Sequence, residues 1–423
     1  MIFHILAYII VFSVAFQLLI FLFTSIRQAS ISREQSDLTM QLLKQKVELE
    51  ILSGQTERDK TTLSWAGTRK FRVDEKVDEG GHICSFYLSP HDGKSLPPFL
   101  PGQYLTFSLK IPGQNKPVVR CYSLSDSPHH SDKYRVSIKQ LPAPPNQPDV
   151  EPGQVSNFFH KKLFEGDIVD VKCPAGKFYL DTSKHGPVVL IGGGVGVTPL
   201  LSMLNNLVYI NSKREIWFFY GVRNQDDHIM QAHFKKLAGE FENIHLQVCY
   251  SDPEKNDKQG TQYHHAERVS IELFKKVLPS NNYDYFICGP EPMMESLITG
   301  LKDWGVPKDK IHMEAFGAAS VKVRSKNRGN TVSEDQHVEQ YSITFSRTGK
   351  SLKWDLDSGT LLEFAEANGI VMDSGCRAGN CGTCVTAIRS GELDYLEDPG
   401  TAIESGSCLT CIAVPKSDII LDA

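Results

Sequence analysis

Residues 188–204 read VVLIGGGVGVTPLLSML. Four apolar residues without alternation lead into a glycine turn, and apolar residues at helical spacing follow. An unbroken apolar run suits a strand covered on both faces, as in a parallel sheet. Thr198 is a good N-cap and Pro199 suits a first helical turn, so a helix is expected to start there. A helix N-terminus that backbone can approach closely, here through Gly192, Gly194 and Gly196, is a ready site for phosphate. The dinucleotide pattern G-x-G-x-x-G is incomplete, because Val197 stands at its last position. A glycine turn that merely links strand to helix is the competing reading.

Working outward, the runs VVLI, IWFFY, HLQVCY and YDYFIC recur from Pro187 onward with helical stretches between them. This rhythm predicts a parallel α/β sheet of βαβ units. Upstream, from Leu63, runs such as KFRVDEKV, QYLTFSLKI and KYRVSIKQL alternate and are broken by Pro and Gly. They predict an antiparallel β-barrel. Residues 318–336 are polar and patternless and read as a linker. A compact final domain is expected from about His337. A chain of 423 residues with a net charge of −5 has room for several domains and no basic block to hold nucleic acid.

Residues 2–24 contain no Asp, Glu, Lys or Arg. At about 1.5 Å per residue the run reaches the ~30 Å of a bilayer core, so a transmembrane anchor is expected. A cleaved secretory signal fits less well, because no positive charge precedes the run and no A-x-A-like site follows it. Arg27 and Arg33 follow the run, which puts the rest of the chain on the cytoplasmic side. Residues 32–54 are rich in Gln, Glu, Lys and Leu and read as a surface helix or stalk.

Ten cysteines are present, and five of them fall within the last fifty residues. Cys376, Cys381 and Cys384 form C-x4-C-x2-C, and Cys411 follows in LTCIAVP. This spacing is that of plant-type [2Fe–2S] centres, and thiolates are soft ligands suited to iron–sulfur. Gly375, Gly379 and Gly382 give the loop the freedom to point N–H groups at sulfur. Structural zinc usually pairs two short-spaced couples, unlike this arrangement. Cys408 is a rival to Cys411 for the fourth position.

Three further segments, in order, carry a resemblance. VVRCYSLSDSP contains Arg120, Tyr122 and Ser123; YFICGPEPMM contains Cys288, Gly289 and Pro290; IHMEAFG contains Glu314 and Phe316. With the glycine loop, they resemble the R-x-Y-S, G-x-G-x-T-P and C-G-P-x-x-M motifs of the ferredoxin–NADP reductase superfamily. LTC with Pro415 resembles the last ligand of plant-type ferredoxins, which favours Cys411 over Cys408. The order flavin, nucleotide, cluster resembles the phthalate dioxygenase reductase and phenylacetyl-CoA epoxygenase reductase group. The apolar run gives a transmembrane anchor over 1–25 and a juxtamembrane helix or linker over 26–62; the resemblance, which covers the chain from Leu63, implies a flavin-binding barrel over 63–185. It also implies a nucleotide-binding α/β domain over 186–318, a linker over 319–336 and a β-grasp ferredoxin domain over 337–423. Val136, Ser137 and Ile138 would line the flavin, and Gly153 and Ser156 would receive a pyrophosphate, favouring FAD over FMN. Cys288 and Glu314 would line the hydride path, with Phe316 beside the ring. Arg223 would suit a 2′-phosphate, whereas Asp226 and Asp227 would repel one; NADH is preferred to NADPH.

The expected activity is electron transfer from NADH through FAD and a [2Fe–2S] cluster to a membrane-bound oxygenase, hydroxylase or desaturase. A protein anchored in the inner membrane, with its domains in the cytoplasm, would keep such a partner at high effective concentration. Quinone reduction of the respiratory type is the alternative, and a tethered redox sensor is a third reading.

Overall fold

The computed structural model describes residues 62–114, 117–129, 132–142, 153–316, 340–375, 377, 379, 381–396, 399 and 403–423, with a few isolated positions between 16 and 40. The chain divides into two compact units, Met1–Thr62 and Leu63–Ala423. The run 2–24, the anchor expected on it, the juxtamembrane helix and the linker over 319–336 therefore lie essentially outside the described residues. Among the described residues no helix is long and apolar enough to cross a membrane.

The alternating segments form the strands β1 (Arg69–Gly80), β2 (Ile83–Pro90), β3 (Tyr104–Leu109), β4 (Val118–Ser123), β5 (Tyr134–Lys139) and β6 (Ile168–Ala175). They make one antiparallel sheet in the order β4-β3-β6-β1-β2-β5. Every second residue points inward, so Phe71, Val73, Phe86, Leu88, Leu105, Phe107, Val136, Ile138 and Val171 share one core. A bridge between Leu124 and Val136 brings the end of β4 onto β5 and closes the sheet into a barrel. Helix α1 (Gln154–Lys162) inserts Phe159 into this core. Its ring meets Phe86, Phe107 and Tyr122 edge-on, each at 5.2 Å between centroids.

The second sheet contains β7 (Val188–Gly193), β8 (Ile216–Val222), β9 (Ile244–Tyr250), β10 (Asp284–Cys288) and β11 (Ile311–Glu314). All pairings are parallel, in the order β11-β10-β7-β8-β9. Helices α2 (Val197–Tyr209), α3 (Gln231–Glu240), α4 (Ile271–Val277) and α5 (Glu291–Asp303) connect the strands. The apolar run VVLI is explained by burial on both faces. Val188 and Leu190 enter one core cluster, while Val189 and Ile191 enter the other. The chain order reverses between β7 and β10, and in such sheets the crevice at the C-terminal ends of those strands is the usual ligand site.

The third sheet, in the order β13-β12-β18-β14-β16, is built from β12 (Tyr341–Phe345), β13 (Lys350–Trp354), β14 (Val385–Ser390), β16 (Ser407–Leu409) and β18 (Ile419–Leu421). A two-stranded ribbon of β15 (Leu393–Tyr395) and β17 (Ala413–Pro415) lies beside it. The first and last strands, β12 and β18, run parallel. Helix α6 (Leu361–Ala367) covers the sheet and starts with a capping box between Thr360 and Glu363.

One local expectation is corrected. Helix α2 begins at Val197, with Gly196 at the N-cap and no side-chain cap. The glycine loop already winds as a 3₁₀ turn over Gly194–Gly196 and runs directly into the helix. Thr198 therefore lies inside the first turn, where its hydroxyl donates to the Val195 carbonyl at 3.0 Å.

Phe159 is fully buried among three aromatic rings. Phe159→Ala is expected to destabilise the barrel by about 3–5 kcal/mol in denaturant unfolding. A loss below ~1 kcal/mol would contradict the packing described.

Candidate functional site

Three parallel strands end level with one another. Gly192 of β7 pairs in register with Cys288 of β10, and Cys288 pairs with Glu314 of β11. The glycine loop lies directly on the loop that follows β10. A Cβ at Gly196 would fall 2.3 Å from the Cys288 carbonyl oxygen and 2.7 Å from the Gly289 nitrogen. One at Gly193 would fall 2.7 Å from the Pro290 ring. At Gly196 glycine is thus required by contact between two backbones, and at Gly193 by side chains of the loop and helix after β10. Gly194 differs: its φ is +54° and its missing Cβ faces open space. The first-turn N–H groups of α2 have no side-chain cap. An uncapped helix start beside a glycine with open space fits a nucleotide phosphate. Thr198 and Pro199 are buried within α2 and shape this turn.

Cys288 is fully buried. Burial, with Glu314 adding to it, pushes its thiol well above the ordinary value. It is therefore a neutral thiol that packs at the strand end, unlike an activated nucleophile. Glu314 reaches across to the barrel, where Ser123 Oγ donates to its carboxylate at 3.5 Å. The nucleotide sheet and β4 of the barrel thus meet through Ser123 and Glu314. Phe316, two residues on, is 40% exposed.

On β4, Tyr122 is half-buried against Phe107 and Phe159, while Arg120 is exposed and, among the described residues, donates to the neighbouring Val119 carbonyl at 2.7 Å. Its guanidinium can thus turn to a phosphate. Val136 and Ile138 have no exposed surface and belong to the barrel core. Ser137 stands in a hydroxyl chain, 2.7 Å from Ser85 and 2.8 Å from Ser125. Side chains of this trio are therefore committed internally, and a flavin would meet β5 through its backbone. Gly153 is the N-cap of α1, again with no side-chain cap. Ser156 Oγ donates to the Gly153 carbonyl at 3.0 Å and accepts from the Leu141 N–H at 3.2 Å, fixing that turn. The free first-turn amides fit a pyrophosphate.

Among the cysteines, Cys376 lies outside the described residues. Cys381, Cys384 and Cys411 are buried. Cys384 Sγ and Cys411 Sγ are hydrogen-bonded at 3.1 Å, and a bond from Cys411 holds the Cys384 thiol below the ordinary value. Among the described residues no group of three potential ligands converges on a single metal ion; the pair formed by Cys384 and Cys411 suits a cluster that binds through paired thiolates. Gly379 and Gly382 take φ near +70°, as loop turns toward sulfur need. Arg377 also takes a positive φ, +54°, held by Arg377 Nη1 donating to Glu366 at 2.9 Å. Gly375 serves differently. A Cβ there would fall 2.8 Å from Cys381 Sγ and 3.0 Å from Val119 of the barrel. Cys408 faces the other way, into the core with Ile343 and Phe364, and burial pushes its thiol up to about 12. Of the two rivals for the fourth position, Cys411 lies beside Cys384, whereas Cys408 lies in the core.

Sequence reasoning missed two residues, Val119 and Lys172, and for Asp227 it missed the partners. Asp227 is buried and bridged: Arg223 Nε donates to it at 2.6 Å and Lys139 Nζ at 3.2 Å. Burial opposes its charge, yet Arg223 and Lys139 together hold the carboxyl below the usual range. It is thus occupied, whereas Asp226 is exposed. Lys172 donates to the Cys381 carbonyl at 2.8 Å. Val119 and Lys172 gave no local signal, because their partners are more than two hundred residues away.

The fold and this site define a flavin- and nicotinamide-binding oxidoreductase with its own iron–sulfur domain. Residues 70–179 match the oxidoreductase FAD-binding domain, 190–298 the oxidoreductase NAD-binding domain and 343–416 the 2Fe-2S iron-sulfur cluster binding domain. The flavohemoprotein of Halalkalibacterium halodurans is 38% identical over 255 residues, 60% of this chain and 61% of that protein. The chain therefore spans about three fifths of the length of that curated relative. The FAD/NAD-binding domain of nitric oxide dioxygenase from Vibrio cholerae is 31% identical, with a TM-score of 0.52, covering 59% of this chain and 99% of that structure. Phthalate dioxygenase reductase shares the fold over 84% of this chain and 98% of its own, at 24% identity and a TM-score of 0.50. The chain belongs to the ferredoxin–NADP reductase superfamily of oxidoreductases, with FAD and NAD domains followed by a 2Fe-2S domain.

Cys411→Ser is expected to lose most of the iron and acid-labile sulfide of the purified protein, while Cys408→Ser keeps both. Equal loss in the two variants would contradict the ligand geometry.

Proposed function

We propose that this chain is a membrane-anchored, NADH-dependent reductase that passes electrons through FAD and its [2Fe–2S] cluster to a membrane-bound oxygenase, hydroxylase or desaturase. The observation that carries the reading is the position of β4. Ser123 at its end meets Glu314 of the nucleotide sheet, and Val119 near its start meets Gly375 of the cluster loop. When bound, the flavin accepts two electrons as hydride and hands them on singly, and the cluster carries one at a time. The residues of the chain bind and orient. Gly192, Gly194 and Gly196 let the nucleotide phosphates approach the start of α2. Gly289 and Pro290 pack on that loop. Cys288 and Glu314 form a dry floor and a hydrogen-bonding wall where β10 and β11 end.

The selection of NADH follows from Asp227. Its carboxylate is 8% exposed and already binds the Arg223 guanidinium, which is 74% exposed. The arginine that would clasp a 2′-phosphate is thus neutralised. The anchor rests on residues 2–24, which contain no charged side chain, and on Arg27 and Arg33 behind them. This reading places the protein in the inner membrane with its domains in the cytoplasm. The acceptor class rests on the domain order.

Anaerobic titration of the purified holoprotein with NADH tests the reading: both the flavin and the cluster spectra should bleach. A flavin that bleaches while the cluster stays oxidised would refute it. Asp227→Asn is expected to raise the ratio of kcat/KM for NADPH over NADH by about tenfold, the effect of one freed charge-assisted contact. An unchanged ratio would remove Asp227 from selectivity. The full chain should sediment with membranes, and the chain lacking residues 1–61 should stay in the supernatant with its NADH oxidation intact. A full chain found in the supernatant would remove the anchor.

A further inference from the structure

The cluster loop touches the barrel at two places. Gly375 lies against Val119 of β4, where an added Cβ would come within 3.0 Å of the valine. The carbonyl of Cys381 accepts a hydrogen bond from Lys172 Nζ on β6, at 2.8 Å. These strands flank β3 on either side, so the two contacts stand roughly 10 Å apart across the sheet. Two points fix both the distance and the tilt of a loop, where one would leave it free to pivot. Lys172 is half-buried, and among the described residues no carboxylate pairs with it. Its positive charge is therefore directed at the peptide group of a cluster ligand, where an added electron would make the surroundings more negative.

We propose that Lys172 is a positioning residue for electron transfer between the flavin and the cluster. It seats the cluster loop on the barrel and its charge favours the reduced form of the cluster. Lys172 contributes a hydrogen bond and a charge; no covalent bond or proton is exchanged there, and a single electron passes between the two bound groups. The inference rests on the reading that the cluster takes its electrons from the flavin.

The experiment uses the holoprotein in three forms: unchanged, Lys172→Met and Lys172→Arg. Stopped-flow mixing with NADH separates bleaching of the flavin from reduction of the cluster, and redox titration followed by electron paramagnetic resonance gives the cluster potential. In Lys172→Met, flavin bleaching should stay within about twofold of the unchanged protein. Cluster reduction should slow by about tenfold, and the potential should fall by about 59 mV, the tenfold equivalent for one electron. Lys172→Arg should restore most of both. A potential in Lys172→Met equal to that of the unchanged protein overturns the proposal, whatever happens to folding stability. If the unchanged protein itself bleaches its flavin and never reduces its cluster, the reading beneath the proposal fails instead.

Discussion

The hydrogen bond from Ser123 to Glu314 and the seating of Gly375 against Val119 fall on the same short strand. Ser123 lies four positions after Val119, about 13 Å along extended chain. β4 thereby has the nucleotide sheet at one end and the cluster loop at the other. Everything else in the arrangement serves to hold that strand. Its register with β3 is fixed over six residue pairs. The bridge from Leu124 to Val136 closes the barrel just beyond its end, and Phe159 wedges beneath Tyr122. A flavin-binding barrel with a loose β4 would lose both neighbours at once.

Close backbone approach is the second constraint, and it explains why the glycines differ in purpose. Gly196 and Gly193 are needed because the loop after β10 touches them. Gly194 is needed because its φ is positive. Gly375 is needed because a cysteine sulfur and the barrel converge on it. The thiols divide in a similar way. Burial raises Cys249 to about 12 and Cys288 well above its ordinary value, so both are packing groups. Cys384, hydrogen-bonded to Cys411, moves the opposite way.

The three sheets were legible in the sequence because each has its own period. Alternation marked the barrel, unbroken apolar runs marked the parallel sheet, and cysteine spacing marked the iron–sulfur domain. The row formed by Gly192, Cys288 and Glu314 was foreshadowed by motif order alone. What escaped the sequence was pairing at long range. Nothing near Lys172 in KCPAGKF shows that its partner is Cys381, and nothing in FFYGVRNQDD shows that Lys139 joins Arg223 on Asp227. The start of α2 was misplaced because Thr198 carries the usual capping signal, and the 3₁₀ turn before it outweighed that local preference. The sequence did not show that the pleat of β5 turns the side chains of Val136 and Ile138 into the core, which leaves the strand's backbone to line a flavin.

The central claim is that the cluster domain is seated on the flavin barrel of its own chain. Its most direct test is the rate of cluster reduction after mixing with NADH, measured over a hundredfold range of protein concentration. The account predicts a single rate that does not vary with concentration, because donor and acceptor belong to one molecule. A rate that rises in proportion to protein concentration would mean that electrons cross between molecules, and the arrangement around β4 would not be the working one.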